Sequence, residues 1–201
     1  MFHFFFVLFF CSFSSLLAEG DVSREEWLRR AEPILKMKEP NFLLISVKAQ
    51  KMAFFQHARL VSVYTISSAK NGTGQREGSF QTPLGLHRIS DKIGKGAAPN
   101  TIFSSRKNTG KIWQNSIDNQ EKDLILSRIL WLDGLEEGYN RGKDPQGFVV
   151  DSRKRMIYIH GTNQEKLIGK PASRGCIRMK MKELIEIFDR VPTGTLVSIQ
   201  N

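Results

Sequence analysis

The apolar positions divide the chain into three regimes. The stretch 4–10 is an unbroken apolar run, followed by Ser12, Ser14, Ser15 and then Leu16-Leu17-Ala18. Between Asp21 and Lys38, Trp27, Leu28, Ala31 and Leu35 recur at helical spacing, which predicts a helix. Ser23 with Glu26 fits a capping box at its start, and Pro40 ends it. From Asn41 the pattern changes to short β-like runs. Residues 42–47, 52–55 and 60–66 are predicted strands, with a tight connection near Gln50-Lys51. Further strands are predicted at 84–89, 129–132, 148–150, 155–159 and 196–199. A second helix is predicted where Leu184, Ile185, Phe188 and Val191 share a face, ending at Thr193-Gly194. Asn71-Gly72-Thr73-Gly74 reads as a loop. Between Gly94 and Lys143 the pattern is weak, broken only by Ile112-Trp113 and the 129–132 strand; so long a loop region in a compact domain points to a lid. The predicted fold is a mostly β domain, a sandwich or partly closed barrel of short strands, with short helices at the N-terminus and near the C-terminus.

Composition sharpens this picture. The chain has 201 residues, enough for one domain with a tail. Hydrophobic residues make up 40% and charged residues 25%, which excludes a disordered or collagen-like chain. Lys and Arg number 30 against 20 Asp and Glu, giving a net charge of +10. None of that charge precedes Glu19, so residues 1–18 form a separate block that reads as a secretory signal peptide cleaved near Ala18. The amino-terminal region lacks Lys and Arg, and Leu16 is large for its place two before a cleavage Ala. An uncleaved anchor is therefore the alternative, although the block falls short of the roughly 20 residues a spanning helix needs. Both readings export the domain, to a periplasm or cell wall. Residues 19–40 then form an N-terminal helical segment, and 41–201 the functional domain.

Two Cys exclude a disulfide scaffold and multi-Cys zinc or iron–sulfur sites. Cys11 follows Phe9-Phe10, where a lipoprotein signal would carry small residues, and it leaves with the signal. Cys176 remains, within Ser173-Arg174-Gly175-Cys176-Ile177-Arg178-Met179. Lys166, Lys170, Arg174, Arg178, Lys180 and Lys182 surround it in sequence, with Glu165 alone against them, so a cation-stabilised thiolate is one reading. A small buried Cys in a strand is the other. Gly175 leaves room for a close backbone approach and for N–H donors to an oxyanion. His160 ends the run Met156-Ile157-Tyr158-Ile159 and precedes Gly161-Thr162, where a ring could take the thiol proton and return it to a leaving amine. His87 reads as a strand residue.

Other chemistries fit less well. A phosphatase loop would carry Arg where Lys182 stands, six positions after the Cys. His57, His87, His160 and Cys176 lack paired metal-ligand spacing. Gly72 and Gly74 fail the phosphate-binding patterns. The basic residues are dispersed, and export argues against nucleic acid.

Together, His160-Gly161-Thr162 and the segment 173–179 resemble the active-site signature of the L,D-transpeptidase (YkuD-type, ErfK/YbiS-like) family. Thr82-Pro83-Leu84-Gly85 resembles that family's upstream Thr-Pro-x-Gly element, and the likeness covers residues 41–201. The resemblance implies an exported transferase of peptidoglycan synthesis, and so of cell wall biogenesis and cell shape. In that family a thiolate attacks the third residue of a stem peptide, expels the terminal D-amino acid and passes the acyl group to an amine, giving 3–3 cross-links. It implies Cys176 as nucleophile, His160 as general acid and base, and Gly161 and Gly175 as orienting and oxyanion groups. Ser173, Arg174 and Arg178 become substrate-binding residues. Arg174 departs from the His that many members carry there, and keeps positive charge near the thiol. Residues 94–143 would cap the donor cleft, with Trp113 or Tyr139 as contacts. No cofactor or metal is implied, the partners are donor and acceptor stem peptides beside an anionic envelope surface, and a monomer is expected. The same acyl-enzyme with water, a free D-amino acid or a lipoprotein as acceptor is the first alternative, and a non-catalytic wall-binding module the second.

Overall fold

A computed structural model describes residues 22–114 and 123–201. The expected signal or anchor lies outside the described residues. Among these, no helix is long and apolar enough to cross a membrane.

The predicted first helix spans Arg24–Leu35 (α1), and Ser23 caps it by accepting the Glu26 amide at 3.1 Å. The Glu26 carboxylate takes part in ion pairs with Arg29 and Arg30. The helix ends three residues short of the expected limit, with Lys38 in the left-handed region.

Strands β1 (Asn41–Ser46), β2 (Lys51–Gln56) and β3 (Arg59–Ser67) form an antiparallel meander. They are followed by β4 (Gly85–Ile93), β5 (Thr101–Ser104), β6 (Lys107–Ile112) and β7 (Ile125–Gly134). The chain ends with β8 (Tyr158–Gly161), β9 (Ile177–Met179), α2 (Met181–Arg190) and β10 (Leu196–Gln200). The order β4-β10-β1-β2-β3-β9-β8-β7 closes on itself through the β4–β7 pairing, and the β5–β6 hairpin branches from β7. Two pairs are parallel, β1 with β10 and β8 with β9. The partly closed barrel is thus fully closed.

The two helices explain why β1 and β2 read as continuous apolar runs rather than as alternating ones. Leu43, Ile45, Met52 and Phe54 face inward and join Ile159, Ile177 and the Leu184, Ile187 and Phe188 face of α2 in the main core. Phe42, Leu44 and Phe55 face outward and are covered by Trp27, Ala31 and Ile34 of α1. The Phe42 and Phe55 rings stack at 4.6 Å. A strand apolar on both faces needs a cover on both.

Four expectations need correction. Residues 148–150 form no strand; Val149 makes one bridge to Lys143 and Phe148 is 51% exposed. The 155–159 strand begins only at Tyr158, because residues 152–156 turn and Met156 adopts φ 58°. The 94–143 region, predicted as a loop region broken by the 129–132 strand, also carries β5 and β6, and its β7 is longer than predicted. In α2, Ile187 rather than Ile185 completes the buried face.

Candidate active site

Parallel pairing of β8 and β9 sets Ile159 opposite Ile177 and His160 opposite Arg178. Both Ile side chains enter the main core. Alternation therefore puts Tyr158, His160, Cys176 and Arg178 together on the other face, with Cys176 one residue ahead of β9. His160 and Cys176, 16 positions apart in sequence, become diagonal neighbours.

The loop before β9 is fixed by hydrogen bonds to the end of β3. Ala172 and Ser173 donate their amides to Ser68 O at 2.8 and 2.9 Å, and Lys70 donates to Ser173 O at 2.9 Å. The buried Ser173 hydroxyl donates to Cys176 O at 2.6 Å and accepts from Gly175 N at 3.2 Å. Thr82, of the Thr-Pro-x-Gly element, accepts from Ala69 N and donates to Gly175 O, both at 3.0 Å. Gly175 sits at φ 128°, and a Cβ there would meet Ile157 Cδ1 at 3.3 Å and Gln81 O at 3.4 Å, so glycine is required.

His160 is buried, and its Nδ1 lies 2.8 Å from Gly161 O. A carbonyl only accepts, so Nδ1 carries the proton and Nε2 keeps its lone pair. A Cβ on Gly161 would stand 2.7 Å from Leu126 O, so β7 and β8 approach too closely there for a larger residue. Burial pulls His160 below the usual histidine range, against the Gly161 carbonyl and Asp123, which favour its protonated form.

Burial likewise pushes the Cys176 thiol up to about 11. The Tyr158 amide, Arg178 and Arg155 pull it down, and Asp123 pushes it further up. Of the two readings of Cys176, burial outweighs the neighbouring cations and favours the neutral thiol. In the resting arrangement the sulfur is 3.4 Å from Met156 O and donates to it. A neutral thiol thus stands diagonal, across the β8–β9 pairing, to a neutral imidazole that keeps the Nε2 lone pair, an arrangement able to pass a proton from sulfur to nitrogen.

Cys176 opens onto a cleft of about 720 Å³, walled by Phe80, Arg106, Arg155, Met156, Tyr158 and Arg174 among others. Of the three expected substrate-binding residues, only Arg174 reaches it. Ser173 is spent on the loop. Arg178 is 2% exposed and engages Gln164 and Asp123. Gly175 N, expected at an oxyanion, is directed to the Ser173 hydroxyl instead. Trp113 lines a separate cavity of about 430 Å³ with Gln164 and Leu167, and Tyr139 lines another of about 410 Å³ with Gln81 and Asp144. Neither touches the Cys176 cleft; Ser105, Arg106 and Ile125 represent the 94–143 region there. His87 is a buried strand residue, bonded to Gly85 O and Ser152 Oγ, and burial lowers it to about 4. Among the described residues no His, Cys, Asp and Glu group could hold a metal.

A family model of the L,D-transpeptidase catalytic domain, YkuD, matches residues 40–199, most of the chain and both strands of this site. The chain belongs to the YkuD family. It is 44% identical over 82 residues to YkuD of Bacillus subtilis, an L,D-transpeptidase by name, an alignment covering 38% of this chain and 50% of that protein. ErfK/SrfK of Salmonella typhimurium, of the same designation, is 41% identical over 56 residues, 28% of this chain and 18% of its own length. The chain thus aligns with half or less of these relatives. L,D-transpeptidase 3 from Mycobacterium tuberculosis shares the fold, with a TM-score of 0.50 at 13% identity, covering 81% of this chain and 62% of the other.

Within this YkuD domain, several contributors escaped sequence reasoning. Arg155 donates to the carbonyls of Gly74, Gln75 and Gln81 at 3.1, 2.6 and 2.7 Å, tying the 74–81 loop beside the thiol. Tyr158 supplies an amide to the sulfur, and Asp123 engages Arg178 behind His160. Their only sequence signal was position: Arg155 and Tyr158 lie just before His160.

Proposed function

We propose that the chain is an exported cysteine L,D-transpeptidase acting on peptidoglycan stem peptides. The observation that carries this reading is Cys176 at the wall of a cleft, one residue ahead of β9 and diagonal to the buried His160 of the parallel strand β8, with the His160 proton held on Nδ1 by Gly161 O. In the first step, Nε2 of His160 takes the thiol proton as the sulfur attacks the carbonyl carbon of the third stem residue. The backbone amide of Cys176 donates to the oxyanion. Collapse breaks the bond to the terminal D-amino acid, whose nitrogen takes the proton from His160 and departs as a neutral amine. In the second step an amine of another stem attacks the thioester and loses its proton to His160. The thiolate leaves, recovers that proton, and a 3–3 cross-link remains.

The +10 charge supports a place beside the anionic envelope, and residues 1–18 support export. Intact-mass measurement of the protein with a tetrapeptide stem and with a carbapenem tests the chemistry. An adduct on wild type and none on Cys176→Ala, with a linked stem dimer as product, is the expected result. A shortened stem would assign water as the acceptor, and no adduct on folded wild type would overturn the reading.

A further inference from the structure

The cleft beside Cys176 carries more positive charge than the chemistry of a thiol and an imidazole requires. Four cations line it, Arg106, Lys154, Arg155 and Arg174, against a single acid, Glu77. Arg155 is committed to three backbone carbonyls and interacts with Glu77. Among the described residues, Arg106, Lys154 and Arg174 have no carboxylate within ion-pair distance.

Two of these lie over aromatic rings. The Arg174 guanidinium lies 4.6 Å from the Phe80 ring centre, and that of Arg106 lies 4.6 Å from the Trp131 ring. Stacking restrains a guanidinium while leaving its N–H edge to bind a planar anion. Arg106 donates to Tyr158 Oη at 3.2 Å, and Tyr158 also supplies the amide that meets the Cys176 sulfur. The cation and the thiol thus share one neighbour.

The backbone at Arg106 gives a second, independent observation. Ser105 and Arg106 form the tip of the β5–β6 hairpin with φ of 46° and 66°. Asn-Gly or Asp-Gly are the residues that occupy such a pair of positions without strain. This tight turn fixes where the hairpin tip lies and sets Arg106 at the wall of the cleft.

We propose that Arg106 and Arg174, from the β5–β6 hairpin and the loop before β9, bind two carboxylates of a dianionic acyl donor. One is the carboxylate of the leaving D-residue and the other is a free carboxylate on the side chain of the residue that is attacked. Arg106 and Arg174 are then specificity determinants, selecting donors with a free third-residue carboxylate over donors in which it is amidated. The proposal rests on the L,D-transpeptidase reading and adds to it the charge state of the substrate.

The test compares two tetrapeptides, identical except that the third-residue side-chain carboxylate is free in one and amidated in the other. Release of the terminal D-amino acid by the full chain is followed for wild type, Arg106→Gln, Arg106→Lys and Arg174→Gln. Wild type is expected to favour the free acid by about tenfold or more in kcat/KM, the scale of one charge-assisted hydrogen-bonded contact. Arg106→Gln is expected to lose most of that preference, chiefly through a raised KM, and Arg106→Lys to recover part of it. Arg174→Gln is expected to weaken both donors, since both keep the terminal carboxylate. Raised salt should narrow the preference. Equal wild-type turnover of the two peptides, or an Arg106→Gln loss that is the same for both, overturns the proposal while leaving the L,D-transpeptidase reading in place. No release from either peptide by folded wild type overturns both.

Discussion

At the residue scale, the Cys176 sulfur balances burial against three favourable neighbours and remains a thiol. With the group at about 11, the thiolate is on the order of one part in ten thousand at pH 7. Alkylation by a small neutral reagent is therefore expected to quicken about tenfold per pH unit from pH 8 to 10, without the plateau near 8.5–9 of an ordinary thiol. Mass-spectrometric rates on the folded protein check this, and a plateau by pH 9 would refute it. Under the proposed mechanism, in which His160 takes the thiol proton, acylation by a bound donor should behave otherwise. The depressed basicity of His160 keeps the ring neutral, so acylation should hold as pH falls through the ordinary histidine range. The sequence displayed both residues openly, since a His-Gly-Thr and a Ser-x-Gly-Cys-Ile-Arg-Met are local patterns. It could not display their ionisation. Six cations near Cys176 in sequence suggested a lowered thiol, but only Arg178 of these acts on it, and burial outweighs them.

At the element scale, the strands apolar on both faces were legible because a continuous run needs no partner to be recognised. β6 was not: Lys107–Ile112 is exposed throughout and, among the described residues, pairs only with β5. β9 has three residues, too few for any period. The apolar pattern predicts only 129–132 of the 10 residues of β7, because Ser127 and Arg128 interrupt it. Both are buried at a bulge, where Arg128 donates to Ala97 O and Ser127 O at 2.8 and 2.7 Å. The reverse error, at 148–150, came from apolar residues that have no neighbouring strand. The loop before β9 gives a prediction of its own. Gly175→Ala should cost about 1–3 kcal/mol, because it combines φ 128° with a tight contact of 3.3 Å to Ile157 Cδ1, and it should abolish acylation by displacing Cys176. Gly96→Ala, at φ 75° with nothing within 4 Å, should cost about 1 kcal/mol and leave acylation intact. Urea denaturation with intact-mass measurement separates the two.

At the scale of the whole molecule, stability depends on covering the barrel. Trp27 is 1% exposed and lies with Ala31 and Ile34 on Phe42, Leu44 and Phe55. Trp27→Ala is expected to cost about 3–5 kcal/mol in denaturant titration, and a change below about 1 kcal/mol would show that α1 is a loosely held appendage. The sequence predicted α1 from its spacing and cap but not where it docks. Docking depends on β1, β2 and β10 being neighbours, and closure depends on β4 meeting β7; no local pattern records either.

The position of β10 has a consequence for how the chain comes off the ribosome. β10 fills the place between β4 and β1, and α1 touches its end, Arg30 donating to Asn201 O at 3.0 Å. Cys176 and His160 have both been translated by then, but the ring cannot close and the first helix has no complete floor until Leu196–Gln200 emerges. A nascent chain halted before Leu196 would therefore hold every segment that walls the Cys176 cleft, yet lack the strand that closes the ring and completes the surface on which the first helix lies.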